Sequence, residues 1–236
     1  MKPKVAIQIA GYLRTFNECF ESWKNVLDET KFEFDYFIHT YEESGIPYRS
    51  HYDVDIDAKF NFEKYINNLN VKKIVIEKSQ KSDVELKWTT RRVELMYRKI
   101  YMCNELFKNY TNESNQKYSC ILRMRGDLFF TKQIDLPENI SENTIYVPLL
   151  WGYVDNGDNG KQNRFDKWPD NALPDQVVCD QFAICDENAI NAYARTGIDI
   201  GNNLIEQNIY KCLVKHDINI NRVNFGQGVF NRKKSG

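Results

Sequence analysis

VAIQIAGY, residues 5–12, is an apolar run that reads as a buried strand ending at Gly11. Behind it, Thr15-Phe16-Asn17-Glu18 has the S/T-x-x-E form of a capping box, in which hydroxyl and acid satisfy each other's end of the first helical turn. Phe16, Phe20, Trp23 and Leu27 then fall at helical spacing. Strand, tight loop and helix in that order predict the opening of an α/β domain.

The same alternation continues outward. FEFDYFIHTY (32–41) reads as a second strand, a polar loop carries Gly45 and Pro47, a helix is predicted over 57–69, and VKKIVIEK (71–78) supplies a third strand. Residues 89–110 form the strongest helical segment, because Val93, Met96, Tyr97, Ile100, Cys103 and Phe107 share one stripe. Leu95, Met102 and Leu106 on its other side predict a helix covered on two faces. YSCILRMRGDLFF (118–130) and TIYVPLL (144–150) are further strands, and residues 152–175 have the Gly, Asn, Asp and Pro content of a long irregular loop. QVVCDQFAICD (176–186) is strand-like, and Asp186 is placed to cap a helix that runs through Ala194 and stops at Gly197. A helix over 202–215 and the alternating ININ (218–221) close the chain. With no repeat and no linker, this is one domain over 1–236: a mainly parallel central sheet with helices on both faces.

Composition narrows the partners. Lys plus Arg (32) nearly balances Asp plus Glu (33), so no global field draws the chain to nucleic acid or to a membrane surface. The apolar start is too short for a secretory signal and meets Arg14, and no run reaches the length of a membrane span. The six cysteines show no metal spacing and read as reduced, mostly buried thiols of a cytoplasmic protein.

The chemistry is expected beyond the carboxyl ends of the strands, where open α/β sheets bind ligands. Strand one delivers Ala10, Gly11, Tyr12 and Arg14, strand two His39 and Tyr41, and the 118–130 strand Arg123, Arg125 and Asp127. Strand alternation puts the last three on one face, with Ile121 or Met124 opposite. Glycine lets a ligand approach the backbone, tyrosine stacks on a base and arginine forks onto phosphate, so the set describes a nucleotide diphosphate pocket. Plainer readings stand beside it: Arg14 as a helix-start ion pair, His39 as a satisfied core histidine, Arg123, Arg125 and Asp127 as a salt-bridge ladder. Neither a G-x-G-x-x-G fingerprint nor a P-loop is present.

AGYLR, FDYFIHTY, MYRKIYMCNEL, ILRMRGDLFF and CDQFAICDENAINAY, in this order, resemble small GT-A type glycosyltransferases of surface-polysaccharide synthesis in bacteria and large DNA viruses. The resemblance spans nearly the whole chain and implies a nucleotide-binding half over about residues 1–130 and an acceptor half over about 131–236. It implies transfer of a hexosyl or pentosyl group from a nucleotide-sugar donor to a glycan or lipid-linked acceptor. In that family an acidic D-x-D motif holds Mn²⁺ or Mg²⁺ and the donor; here the motif is R-G-D, with Asp127 as the final acid and Arg125 in the place of the first. Asp127 is thus the expected metal and ribose residue, with Asp155, Asp158 or His216 as further ligands, and the Arg125 guanidinium takes over part of the metal's neutralising role. On the acceptor side the resemblance makes Asp180 the expected base, Asp175 the second choice, and Glu206 an acceptor-binding or structural residue. Trp151 and Trp168 would flank a loop over the cleft, suited to sugar stacking or to anchoring the loop. Two alternatives remain: a catalytically inactive nucleotide-sugar or glycan-binding protein of the same fold, and a sugar nucleotidyltransferase, which would normally carry a glycine-rich phosphate loop after strand one.

Overall fold

The computed structural model describes residues 2–13, 16–42, 66–78, 90–131, 133–149, 153–155, 176–198, 205–225 and 227–231. Its elements in chain order are β1 (Lys4–Ala10), α1 (Phe16–Cys19, continued by a 3-10 turn over Phe20–Asn25), β2 (Glu33–Tyr41), β3 (Val71–Glu77), α2 (Thr90–Ser114), β4 (Cys120–Met124) and β5 (Leu128–Phe130). There follow β6 (Thr144–Pro148), β7 (Tyr153–Asp155), β8 (Phe182–Cys185), α3 (Glu187–Arg195), α4 (Ile205–Lys215), β9 (Asn219–Val223) and β10 (Gln227–Asn231). The expected helix over 57–69 lies outside the described residues up to position 65.

Seven strands form the main sheet in the order β3-β2-β1-β4-β8-β6-β9. The chain steps outward from β1 through β2 to β3, returns through α2, and lays β4 on the other side of β1, parallel to it. That reversal makes the carboxyl ends of β1 and β4 a topological switch point, where the two connections diverge and leave a crevice. The sheet is α/β and mostly parallel, but β8 runs antiparallel to both β4 and β6. As a result the start of β8, not its end, reaches the same edge as the end of β4.

Alternation along β1 sorts the core into two layers. Val5, Ile7 and Ile9 face a cluster with Phe16, Trp23, Val26 and Leu27; Ala6 and Ala10 face the one built from Tyr97, Ile100, Cys103 and Phe107 of α2 with residues of α3 and α4. Helical segments therefore cover both faces. The small side chains Ala6, Ala10 and Ala183 let α2 approach the sheet, and the stripe read from the sequence is the one that packs. Met102, 37% exposed, shows that the second face of α2 is not covered there.

Two other expectations change. The 118–130 segment is two strands in two sheets: β4 ends at Met124, a turn follows, and β5 joins β10 and β7 in a separate three-stranded sheet. Within 176–186 only Phe182–Cys185 is strand. The cap at Asp186 does form, its carboxylate accepting from the N–H groups of Asn188 and Ala189, and it also accepts from Asn143 and Thr144 at the start of β6. All six cysteines are free and buried.

Candidate functional site

At the switch point β1 ends in Ala10 and Gly11. Gly11 takes φ 98°, in the left-handed region that only glycine enters without strain, and a Cβ there would meet nothing within 4 Å. Its N–H donates to the carbonyl of His39 and its own carbonyl accepts from the Thr40 hydroxyl at 2.8 Å, so the ends of β1 and β2 are tied together. Tyr12 then stacks on Tyr41, ring centroids 4.2 Å apart, and the Lys99 ammonium lies 4.0 Å from the centre of the Tyr41 ring. Lys99 is itself paired with Glu77. His39 Nε2 is 3.3 Å from the same carboxylate, and burial together with the Lys99 charge pushes the imidazole down to about 4. His39 is a buried histidine held at a polar rim through Nε2, while its Nδ1 has no partner, so the plainer reading, a satisfied core histidine, holds only in part.

The R-x-R-x-D stretch divides. Arg123, register partner of Gln8 on β1 and Ala183 on β8, is 1% exposed and points into the α2/α3 layer with Ile121; equal parity puts those two on one face, so only Met124 is opposite. Its Nη1 donates to the main-chain carbonyls of Asp180 and Gln181, the latter at 3.0 Å. The next two charges lie past the strand, in the turn closed by the Leu128 N–H on the Arg125 carbonyl. There Arg125 forks onto Asp127, Nε to Oδ1 at 2.9 Å and Nη2 to Oδ2 at 2.8 Å. Its Nη1 stands 3.8 Å from Oδ2 of Asp180. The place expected for an anion between two like charges is thus taken, for each arginine, by the protein's own oxygens. Gly126 completes the turn: a Cβ on it would sit 2.7 Å from Leu13 Cδ2 and 3.0 Å from Leu13 Cα, so glycine lets the turn close against the loop after β1.

Asp180 joins the group from the far side because β8 is antiparallel, and it is 3% exposed. Glu206, in the first turn of α4, is held there by its own carbonyl, which accepts from the Val178 N–H at 3.1 Å. Tyr97 of α2, Tyr193 of α3 and Thr196 just beyond it close the inner side. Among the described residues, eight of the ten buried side-chain N and O atoms without a partner belong to Arg123, Asp180, Gln181, Tyr97, Tyr193 and Thr196. Buried polar atoms are nearly always paired in an ordinary core, so their concentration here makes this the candidate site. Burial pushes both phenols up, which keeps them as protonated donors at neutral pH.

Burial, with the Asp180 charge beside it, pushes the Glu206 carboxyl up to about 7. Because the folded state binds this proton more tightly than the unfolded chain, the stability it contributes is complete below the ordinary carboxylate range and is lost as pH rises through 7. Glu206→Gln is therefore expected to flatten the fall in stability between about pH 5 and pH 8 and to stabilise the protein at pH 8 by about 1–3 kcal/mol. Urea unfolding of both proteins across that range measures it. A variant that is no more stable than wild type at pH 8 would contradict the assignment.

Of the expected site residues, the structure brings Ala10, Gly11, Tyr12, His39, Arg123, Arg125, Asp127, Asp180 and Glu206 to one edge of the sheet. Arg14, Asp175, Asp158, Trp151 and Trp168 lie outside the described residues, and Asp155 is described only by its backbone in β7. His216 is exposed at the far end of α4, an 11-residue helix, about 15 Å along the axis from Glu206. The divalent metal implied by a D-x-D motif does not fit the described residues: both oxygens of Asp127 accept from one guanidinium, and no group of three or more His, Cys, Asp or Glu is placed to hold an ion among the described residues. Sequence reasoning missed Glu77, Lys99, Gln181 and the two tyrosine hydroxyls; the only signal was a phenol on the apolar stripe of α2. No helix among the described residues is long and apolar enough to cross a membrane. No known family model matches the sequence, and no curated protein matches it either.

Proposed function

We propose that the chain is a GT-A-like glycosyltransferase that moves a sugar from a nucleotide-diphospho-sugar to a glycan or lipid-linked saccharide, as in surface-polysaccharide synthesis. The observation that carries this reading is the meeting of two acids across one arginine at the switch point. Arg125 forks onto Asp127 and its remaining nitrogen stands 3.8 Å from Asp180, so the donor motif and the acceptor-side acid share one edge. In this reading Asp180 takes the proton of the acceptor hydroxyl, whose oxygen bonds to the anomeric carbon. The bond from that carbon to the diphosphate breaks, the nucleoside diphosphate leaves with the electron pair, and configuration inverts. Arg125 meets the charge that develops on the leaving group. Tyr12 offers its ring to the base and Gly11 its open backbone, while Arg14 and Asp175 are proposed as a phosphate contact and a second acceptor acid. Arg123 supports the site from beneath by holding the carbonyls of Asp180 and Gln181. Six buried free thiols favour a reducing, cytoplasmic setting.

A second reading, a nucleotide-sugar or glycan-binding protein without catalysis, is favoured by the closed Arg125–Asp127 pair, which is already neutral. A thermal-shift panel of UDP-, GDP-, dTDP- and CMP-sugars, each with and without Mn²⁺, tests the proposal. A ligand at a hundred times its Kd adds about 2.7 kcal/mol of apparent stability. A rise that follows nucleotide identity supports the donor site in either reading, and release of nucleoside diphosphate on adding a saccharide acceptor then separates the enzyme from the binding protein; no rise with any nucleotide-sugar would contradict the proposal.

A further inference from the structure

We propose that the guanidinium of Arg125 is the resident cation of this site, occupying on Asp127 the position a divalent metal holds in a D-x-D motif, so that the diphosphate is bound without one. The inference deepens the donor-site reading and rests on it for the identity of the diphosphate.

The geometry makes the case. A carboxylate offers a hard cation its two inward-facing lone pairs, and on Asp127 both receive an N–H from one planar fork, at 2.9 and 2.8 Å. A metal would have to displace that fork and then stand beside a guanidinium that remains charged at every accessible pH. The fork is also fixed from outside. The Arg125 N–H donates to the Gln181 carbonyl at 3.3 Å, the Leu128 N–H closes the turn on the Arg125 carbonyl, and Gly126 seats the turn on Leu13. Asp180 flanks the third nitrogen at 3.8 Å, so the cation lies between two carboxylates, much as a bridging metal would. Restoring the first acid should therefore restore the metal. Arg125→Asp removes the fork and leaves three carboxylates together, whose mutual repulsion a divalent cation relieves.

The test is Mn²⁺ binding followed by electron paramagnetic resonance, which reads free ion and requires no substrate. Wild-type protein is expected to leave the free Mn²⁺ signal unchanged or, if a distant site takes the ion, to reduce it equally in wild type and Asp127→Asn. Arg125→Asp is expected to bind one Mn²⁺ per chain at least about tenfold more tightly than wild type. Should Arg125→Asp not fold, Arg125→Ala is the second variant; it frees both Asp127 oxygens and is expected to gain Mn²⁺ affinity in the same direction. Stoichiometric binding by wild type that disappears in Asp127→Asn would overturn the proposal, as would variants that fold and gain no affinity. These outcomes are independent of the donor. A wild-type Mn²⁺ site at Asp127 would remove the inference and spare the glycosyltransferase reading, whereas silence toward every nucleotide-sugar would remove that reading and the diphosphate with it, and leave only the assignment of Arg125 as the cation on Asp127.

Discussion

Asp180→Asn is expected to lower the rate of sugar transfer by about 10²–10⁴-fold, the usual contribution of a positioned general base. The substitution keeps the shape of the side chain, and the main-chain carbonyl of residue 180 still accepts from Arg123. What it removes is the proton acceptor, whose Oδ1 has no partner within the protein. The loss should therefore fall on kcat with KM for the donor little changed, since the residues proposed to hold the diphosphate and the base are others on the same edge. A rate within about threefold of wild type, less than about 0.7 kcal/mol of transition-state stabilisation, would remove Asp180 from the mechanism. The neighbouring acid gives an internal check. Loss of the Asp180 charge lowers the proton affinity of Glu206, so the pH dependence of stability near 7 should shift downward in the same variant.

Arg123→Met is expected to cost about 2 kcal/mol, because the Asp180 carbonyl loses its charged donor while the Gln181 carbonyl keeps the Arg125 N–H, and an unsatisfied buried acceptor costs about 1–3 kcal/mol. For a domain of this size that corresponds to a fall in Tm of roughly 4–8 °C. Methionine fills most of the space without supplying a donor, so the deficit reads the hydrogen bonds more than a cavity. A melting temperature equal to wild type would mean that the guanidinium's unpaired Nε and Nη2 already cost as much as its bonds return. The contribution of Arg123 would then be to position Asp180 and Gln181 and not to stabilise the fold.

Much of the fold is legible in the letters, for reasons that differ by element. β1 and β2 are largely apolar and almost wholly buried, as inner strands covered on both faces must be, while β3 at the sheet edge carries Lys72, Lys73 and Glu77 and is only partly buried. The stripe on α2 and the cap at Asp186 are local patterns that tertiary contacts leave intact. β8 is different. Its four residues are apolar, but nothing within them says that they run against β4, and only that reversal carries Asp180 to the switch point. The three-stranded sheet escapes the sequence because β5, β7 and β10 are three to five residues long and complete one another only across the chain. The candidate site shows the same limit. The alternation in ILRMRGD identifies where charge gathers; it cannot say that α2 covers Arg123 while the turn after Met124 swings Arg125 back onto Asp127. The Lys99 to Glu77 pair joins residues 22 apart through a fold that no short window contains.

The most direct test of the site is the melting temperature of wild type and Arg125→Ala with UDP-, GDP-, dTDP- and CMP-sugars in excess chelator. One nucleotide series should raise the Tm of wild type, and Arg125→Ala should lose most of that rise while its own unliganded melting remains cooperative. No rise with any nucleotide-sugar, or an equal rise in the variant, would contradict a donor site built around Arg125.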